Sequence, residues 1–267
     1  MKRILITGAA GLIGDALRQA LRGAYPLLRL TDIRPLTAAR AGEECARADL
    51  HDFAAVAAAM RGIDCVVHLG GVPKEGPWEV VLDANIAGTY NVFEAARLAG
   101  VKRVVFASSN HVIGFYRTGR TVGTDEPPRP DSRYAVSKVF GEALGRLYAD
   151  KHGMSVACLR IGSFRERPQD ARQLATWISP RDMAQLVRCA IDAPPYDFIV
   201  LYGVSANTRS RWDNSEAQHI GYRPRDNAEE YAAQLALPPA DSSDPAVAFH
   251  GGSFCAIEFN NKINNIN

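Results

Sequence analysis

The chain has no C-x-x-C pair, no long apolar run, no internal repeat and almost no net charge, and each absence removes a class of protein. Its 267 residues hold five cysteines, Cys45, Cys65, Cys158, Cys189 and Cys255, odd in number and scattered. That spacing argues against both a disulfide framework and a structural zinc site, so no metal is expected. Lysine and arginine total 31 against 29 acidic residues, a net charge of +2, and no basic run is interleaved with aromatics, so nucleic acid is not an expected partner. After Met1-Lys2-Arg3 only three apolar residues precede Thr7, too few for a secretory segment, and no run approaches membrane-spanning length. A cytoplasmic protein with no membrane partner is the expectation. With 47% hydrophobic and 22% charged residues, the chain has the material for one sizeable core.

What is present is an alternation. Apolar runs at 3–7, 27–32, 65–69, 103–109, 156–161 and 198–203 read as strands, with a weaker signal at 43–48. Helical patterns fall near 11–22, 52–61, 79–99, 132–152 and 180–192. Strands and helices in turn predict an α/β fold, a doubly wound parallel sheet of Rossmann type covered on both faces. Ser179-Pro180-Arg181-Asp182 has the composition of a helix start, with a serine cap, proline in first position and an acid in the first turn. Beyond 161 the alternation loosens. We therefore expect a dinucleotide-binding core over 1–162, a smaller substrate-side region over 163–254 that contributes a late helix and strand, and a patternless, asparagine-heavy tail over 255–267 without order.

The first strand, Ile4-Leu5-Ile6-Thr7, runs into Gly8-Ala9-Ala10-Gly11-Leu12-Ile13-Gly14 and then directly into a helix. Glycines at this spacing suit a dinucleotide pyrophosphate. Gly8 and Gly11 let backbone N–H groups approach phosphate, Gly14 lets the helix lie close on the strand, and the helix N-terminus carries partial positive charge. Asp32 closes the second apolar run eighteen residues after Gly14. A carboxylate there accepts from both hydroxyls of an adenosine ribose and repels a 2′-phosphate, which favours NAD over NADP, although Arg34 stands close by.

Tyr134 and Lys138 are four residues apart in a segment whose apolar positions, Val136, Val139, Phe140, Ala143, Leu144 and Leu147, form one stripe. On a helical wheel the pair falls opposite that stripe, so core packing explains it poorly. A phenol loses its proton near pH 10, so service as a base at pH 7 requires neighbouring positive charge. Lys138 supplies part, and an oxidised nicotinamide would supply more. Ser109, at the carboxyl end of the strand over 103–109, is placed to hydrogen-bond a reacting oxygen.

Taken together, Thr-Gly-x-x-Gly-x-x-Gly, Asp32, Asp49-Leu50, His68-Leu69-Gly70-Gly71, Ser108-Ser109 and Tyr-x-x-x-Lys resemble the extended branch of the short-chain dehydrogenase/reductase superfamily. Phe106 through Gly114, Tyr134-Ala-Val-Ser-Lys138, Arg160-Ile161-Gly162-Ser163, Arg172 with Thr176-Trp177, Trp212-Asp213-Asn214 and Phe249 through Phe254 narrow the likeness to the uronate dehydrogenases. That resemblance implies NAD-dependent oxidation of the C1 hydroxyl of glucuronate or galacturonate to an aldarolactone. It implies Tyr134 as base with Lys138 and Ser109 as partners. Gly8, Gly11, Leu12, Ile13, Gly14, Asp32, Asp49, Leu50, Leu69, Gly70, Gly71, Asn85, Tyr134, Lys138 and Ile161 would hold the cofactor. Ser109, Asn110, His111 and Ser163 would take substrate hydroxyls, with Arg172 as a bidentate clamp on the carboxylate of a sugar acid. A homo-oligomer formed through the helices near 79–99 and 132–152 is also implied. One departure concerns Pro73: the family usually carries a serine there that touches substrate, and proline offers neither hydroxyl nor N–H. That keeps a neutral-aldose 1-dehydrogenase open as an alternative, with Lys74 as a candidate replacement contact. A sugar epimerase is disfavoured because fewer than about 110 residues follow the core to grip a nucleotide diphosphate. Asn110-His111 in place of an acidic pair argues against a dehydratase, and retention of Ser109, Tyr134 and Lys138 argues against a sensor that has lost catalysis.

Overall fold

The computed structural model describes residues 2–235 and 243–266. In chain order the elements are β1 (Arg3–Thr7), α1 (Leu12–Leu21), β2 (Leu27–Asp32), β3 (Glu43–Arg47), α2 (Phe53–Ala59), β4 (Cys65–His68), α3 (Trp78–Val81), α4 (Gly88–Leu98), β5 (Arg103–Ser109), α5 (Arg133–His152), β6 (Ser155–Ile161), β7 (Ser163–Phe164), α6 (Gln173–Thr176), β8 (Trp177–Ile178), α7 (Pro180–Asp192) and β9 (Phe198–Gly203). A π-helical turn, Leu82–Ala87, joins α3 to α4. Seven strands form one parallel sheet in the order β3-β2-β1-β4-β5-β6-β9, so the strand order reverses between β1 and β4. In such a sheet the crevice outside the carboxyl ends at the reversal is the natural ligand site.

Alternation along each strand divides the core in two. Ile4 and Ile6 of β1 pack with Leu17 and Leu21 of α1 and with Met183, Leu186 and Val187 of α7. Leu5, between them, faces the opposite way and joins Val56, Val92, Phe93, Phe106 and Tyr148 under α2, α4 and α5. Both faces are covered, which is why the strands carry near-continuous apolar runs. The α7 start follows its sequence: Ser179 Oγ accepts from Asp182 N at 3.0 Å, with Pro180 in the first turn.

α5 lies the other way round from the helical-wheel expectation. Tyr134, Ser137, Lys138, Gly141, Gly145 and Tyr148 face the sheet, while Val136 and Leu147 are exposed. The cause is close approach. A Cβ at Gly141 would run into the Phe106 ring, and one at Gly145 would sit 2.9 Å from Val156 Cγ1, so the glycine side lets the helix settle onto β5 and β6. A buried ion pair fixes its height. Arg160 on β6 reaches Glu142 through Nε and Nη2 at 3.0 and 2.9 Å, and Ser108 Oγ donates to the same carboxylate at 2.6 Å.

Residues 255–266 do not have the character of a patternless tail. Ser253–Ala256 is a helical turn with Cys255 buried, and Arg117 donates to the carbonyls of Ile263 at 2.6 Å and Ile266 at 3.2 Å. Phe115, Ile263 and Ile266 pack against Phe249 and Cys255, so two isoleucines and an arginine 146 residues away anchor the stretch. Among the described residues no helix is long and apolar enough to cross a membrane, and all five cysteines are free.

Candidate active site

A cavity of about 640 Å³ opens at the reversal point, within the range that holds small-molecule ligands. It is lined by Gly8, Gly11 to Gly14, Asp32, Asp49, Leu50 and Leu69 to Pro73, and by Ser109 to His111, Tyr134, Lys138, Ile161, Ser163, Arg172 and Phe254. Of the residues expected here, only Asn85 stays outside the lining. Held in the π turn, Asn85 accepts from Val72 N at 2.7 Å and donates to Val72 O at 3.1 Å and Ser137 Oγ at 3.0 Å. Its amide is spent tying the loop after β4 to α5. Glu75 makes a second tie, accepting from Tyr134 N at 2.9 Å and Arg133 Nη1 at 2.7 Å. Lys74 is exposed and does not line the cavity, so of these two only Pro73 does.

The glycine turn is built for close approach. Gly8 has φ of +68°, and a Cβ there would lie 2.7 Å from Gly70 N; a Cβ at Gly14 would lie 2.5 Å from Gly8 O. Gly11 N donates to Gly8 O at 3.0 Å, so its N–H closes the turn instead of facing a ligand. No side chain caps α1, leaving the Leu12 and Ile13 N–H groups as the donors at its N-terminus. Asp32 is buried beside them: one carboxylate oxygen accepts from Ala10 N at 2.9 Å, the other from Arg34 N at 2.9 Å, with the Arg34 guanidinium 3.5 Å away. An uncapped helix end, a cradle in which side chains would collide, and a carboxylate at the tip of β2 fit a dinucleotide.

Tyr134 and Lys138 meet in the middle of the cavity. Lys138 Nζ donates to Ala107 O at 2.8 Å and lies 5.6 Å from the centre of the Tyr134 ring. Burial lowers the lysine to about 8. Burial also pushes the phenol up to about 12, against a Ser109 hydrogen bond that favours phenolate, with the Asp131 charge adding to the rise. The chain's own groups therefore keep the proton on Tyr134. Lys138 does not offset this, and the downward shift a base requires has to arrive with bound ligands.

Beyond Ser109 the lining becomes polar. Ser163 Oγ is 3.0 Å from Thr176 Oγ1. Arg172 Nε and Nη2 both donate to His250 O, at 3.0 and 2.9 Å, and Nη1 lies 3.5 Å from Ser163 Oγ. With the Asn110 amide turned so that its nitrogen donates to Ile161 O at 3.1 Å, its oxygen accepts from Arg172 Nη2 at 2.7 Å. Burial lowers the Arg172 guanidinium from its ordinary value, and among the described residues no carboxylate forms an ion pair with it. The full bidentate fork expected of Arg172 is thus partly committed within the protein, and Nη1 is the end left open.

Sequence reasoning missed three participants. Asp131 holds His111 Nδ1 at 2.7 Å, Phe254 stacks on the His111 ring with centroids 4.0 Å apart, and the His250 carbonyl anchors Arg172. Asp131 directly precedes the cap residue Ser132 and reads as an ordinary helix-flanking acid. Phe254 and His250 lie within the matched stretch 249–254, where only a resemblance marked them.

Residues 4–181 match the NAD dependent epimerase/dehydratase family. Uronate dehydrogenase of Pseudomonas putida is 43% identical over 254 residues, spanning 94% of this chain and 95% of the relative. That of Agrobacterium fabrum is 46% identical over 256 residues, 95% and 97% of the two chains. Among solved structures, a mutant uronate dehydrogenase from Agrobacterium tumefaciens complexed with NAD superposes with a TM-score of 0.92 at 46% identity, over 96% of this chain and 97% of that one.

Proposed function

The chain belongs to the NAD dependent epimerase/dehydratase family and is an NAD-dependent dehydrogenase acting on a CH–OH group, and from that premise we propose that it oxidises a hexuronic acid. The substrate is glucuronate or galacturonate in its ring form, oxidised at the C1 hemiacetal hydroxyl to the aldarolactone. One observation carries the choice of an acid: Arg172 is a guanidinium in the cavity wall without a carboxylate partner among the described residues. A desolvated cation leaves a binding deficit that an anionic ligand removes and a neutral sugar does not.

In this reading the Gly8–Gly14 turn, the first turn of α1 and the Leu69–Gly71 backbone hold the pyrophosphate. Asp32 takes the adenosine ribose, Asp49 and Leu50 border the adenine, and Lys138 with Ile161 borders the nicotinamide end. Asn85 shapes the Gly71–Val72 loop from behind. When bound, NAD supplies the acceptor for the hydride from C1 and, oxidised, a positive charge beside the phenol. Tyr134 takes the C1 hydroxyl proton as the C1 carbonyl forms, and Ser109 orients that oxygen toward it. Lys138, fixed on the Ala107 carbonyl one turn from Tyr134, holds the nicotinamide ribose, and the charge that stabilises the phenolate comes with the oxidised ring. Asn110, His111 and Ser163 take ring hydroxyls, and Arg172 takes the C6 carboxylate through Nη1. The protein's share is alignment and one tuned base.

Further copies of the chain would cover Trp78, Val80, Tyr90, Leu98, Val136 and Leu147, large apolar residues left exposed on α3, α4 and α5, giving a homo-oligomer. The test of the activity is NADH formation from NAD with glucuronate, galacturonate, the matching neutral aldoses and a nucleotide sugar. Turnover of the acids alone supports the reading; equal turnover of neutral aldoses removes the role of Arg172, and turnover of none removes the substrate class.

A further inference from the structure

The His111–Asp131 pair has a consequence for what the cavity recognises. The Asp131 side chain is fully buried: Ser132 Oγ donates to one oxygen at 2.8 Å, His111 Nδ1 faces the other at 2.7 Å, and the backbones of Gly114 and Gly251 press so close that a Cβ on either would collide with the carboxylate. His111 is held from its other sides as well, stacked on Phe254 and edge-on to Tyr134 at 6.0 Å between centroids. An ionised carboxylate only accepts, so the imidazole nitrogen facing Asp131 carries a proton. In the neutral ring the other nitrogen, Nε2, is then an acceptor. Among the described residues Nε2 has no partner, and His111 lines the cavity between Asn110 and Tyr134.

We propose that Asp131 is a positioning residue that fixes the Nδ1–H tautomer of His111 and so presents Nε2 to the cavity as an acceptor for the O–H of one ring hydroxyl of the substrate. The inference rests on the reading above of His111 as a hydroxyl-binding group. It gives the site a directional demand: the sugar must donate at that carbon, and a ring bearing hydrogen or an ether there leaves Nε2 unpaired. The other titratable groups around the pair are Tyr134, Cys255, whose Sγ is 3.9 Å from Asp131 Oδ2, and Arg172, whose charge acts on Asp131 across the cavity.

Two measurements test it. Nitrogen-15 NMR of histidine-labelled protein should show the neutral His111 ring protonated at Nδ1 and bare at Nε2; the reverse tautomer overturns the inference without any variant. In a double-mutant cycle on uronate oxidation, Asp131→Ala should lower kcat/KM about tenfold, chiefly through KM, with NAD affinity unchanged by calorimetry, and should cost less than about twofold in a His111→Phe background. A tenfold cost persisting in that background shows that Asp131 acts through the fold or through Arg172, and the inference fails. Absence of uronate turnover by the wild type sinks the substrate reading instead, while the tautomer measurement still decides the role of Asp131.

Discussion

Replacing Arg172 separates an acid-specific site from a general sugar site. Of its five N–H donors, Nε and one on Nη2 are taken by the His250 carbonyl and a second on Nη2 by the Asn110 oxygen, leaving Nη1 with only a 3.5 Å approach to Ser163 Oγ. On the proposed reading a substrate carboxylate would gain a charge-assisted bond from Nη1 and the field of a desolvated cation. A hydrogen bond to a charged group contributes about 1.5–3 kcal/mol, and leaving one member of a buried pair alone costs about 3–5 kcal/mol. Taking about 2–4 kcal/mol, Arg172→Met should lower kcat/KM for the uronate about thirtyfold to a thousandfold, mostly as a rise in KM. Methionine keeps the aliphatic bulk that fills the space beside Gly252, where a Cβ would lie 2.5 Å from Arg172 Cδ, and so guards against collapse of residues 250–254. Activity on the matching neutral aldose should change less than about threefold, because that ligand never relieves the cation. NADH formation rates over a substrate series give both numbers, with thermal unfolding as the control. Equal losses on acid and aldose, or an unchanged KM for the acid, would refute the assignment.

Other outcomes follow from the same geometry. Tyr134→Phe should lower kcat about 10²- to 10⁴-fold with NAD affinity unchanged by calorimetry, since only the proton acceptor is removed; retention of more than a tenth of the rate would place the base elsewhere. Lys138 carries a folded pKa of about 8 against an ordinary 10.5, so between those values the unfolded chain holds a proton that the folded chain lacks. This contribution is fully present above pH 10.5 and lost as pH falls through 8; the Tm of wild type relative to Lys138→Met should therefore rise between pH 7 and 10, and a flat difference contradicts the buried, depressed ammonium. Asp32→Ser should free the Arg34 guanidinium and remove the charge opposing a 2′-phosphate, shifting the NADP-to-NAD ratio of kcat/KM upward at least tenfold, roughly the effect of removing one close charge repulsion; an unmoved ratio means the ribose is read elsewhere.

The sheet was legible because each strand is a short apolar run bounded by glycine or a charge, and both faces are buried. β3, the weakest signal, lies at the edge with four of its five residues exposed, which is why its pattern was faint. The glycine turn and Asp32 were legible for a related reason: their chemistry is local, set within one strand-turn-helix unit. α5 was read with the wrong side inward because its buried face is mostly glycine, alanine, serine, tyrosine, lysine and glutamate, with Leu144 alone of the apolar stripe buried, and a hydropathy wheel cannot register that Gly141 exists to admit the Phe106 ring. Asn85 has the composition of a ligand contact, but the π turn hands its amide to Val72 and Ser137, and nothing local in the sequence announces that turn. Asp131 and the His250 carbonyl act across 20 and 78 residues, distances over which spacing carries no information.

The two sides of the site share one construction. Burial raises the Tyr134 phenol and lowers the Lys138 ammonium, so both groups are pressed toward their neutral forms, and it disfavours the Arg172 cation, with which no carboxylate of the described residues makes an ion pair. Each is an electrostatic deficit that the folded chain tolerates because neighbouring hydrogen bonds over-determine the geometry: Ala107 O for the ammonium, His250 O for the guanidinium, Asp131 for His111. A sugar acid brings the anion that Arg172 lacks, and an oxidised nicotinamide brings the cation that would bring the phenol within reach of neutral pH. The deficits are complementary to the two ligands together, so either ligand alone relieves only half of them. Binding of the acid and of oxidised cofactor should therefore be cooperative, with the uronate held more tightly in the presence of NAD than of NADH, whose neutral ring leaves Tyr134 protonated. Single-turnover kinetics of the wild type give the dissociation constant of the uronate with NAD, calorimetry gives it with NADH, and Tyr134→Phe should remove the difference between the two. The same affinity for the acid with oxidised and reduced cofactor would show that the phenol takes no part in it.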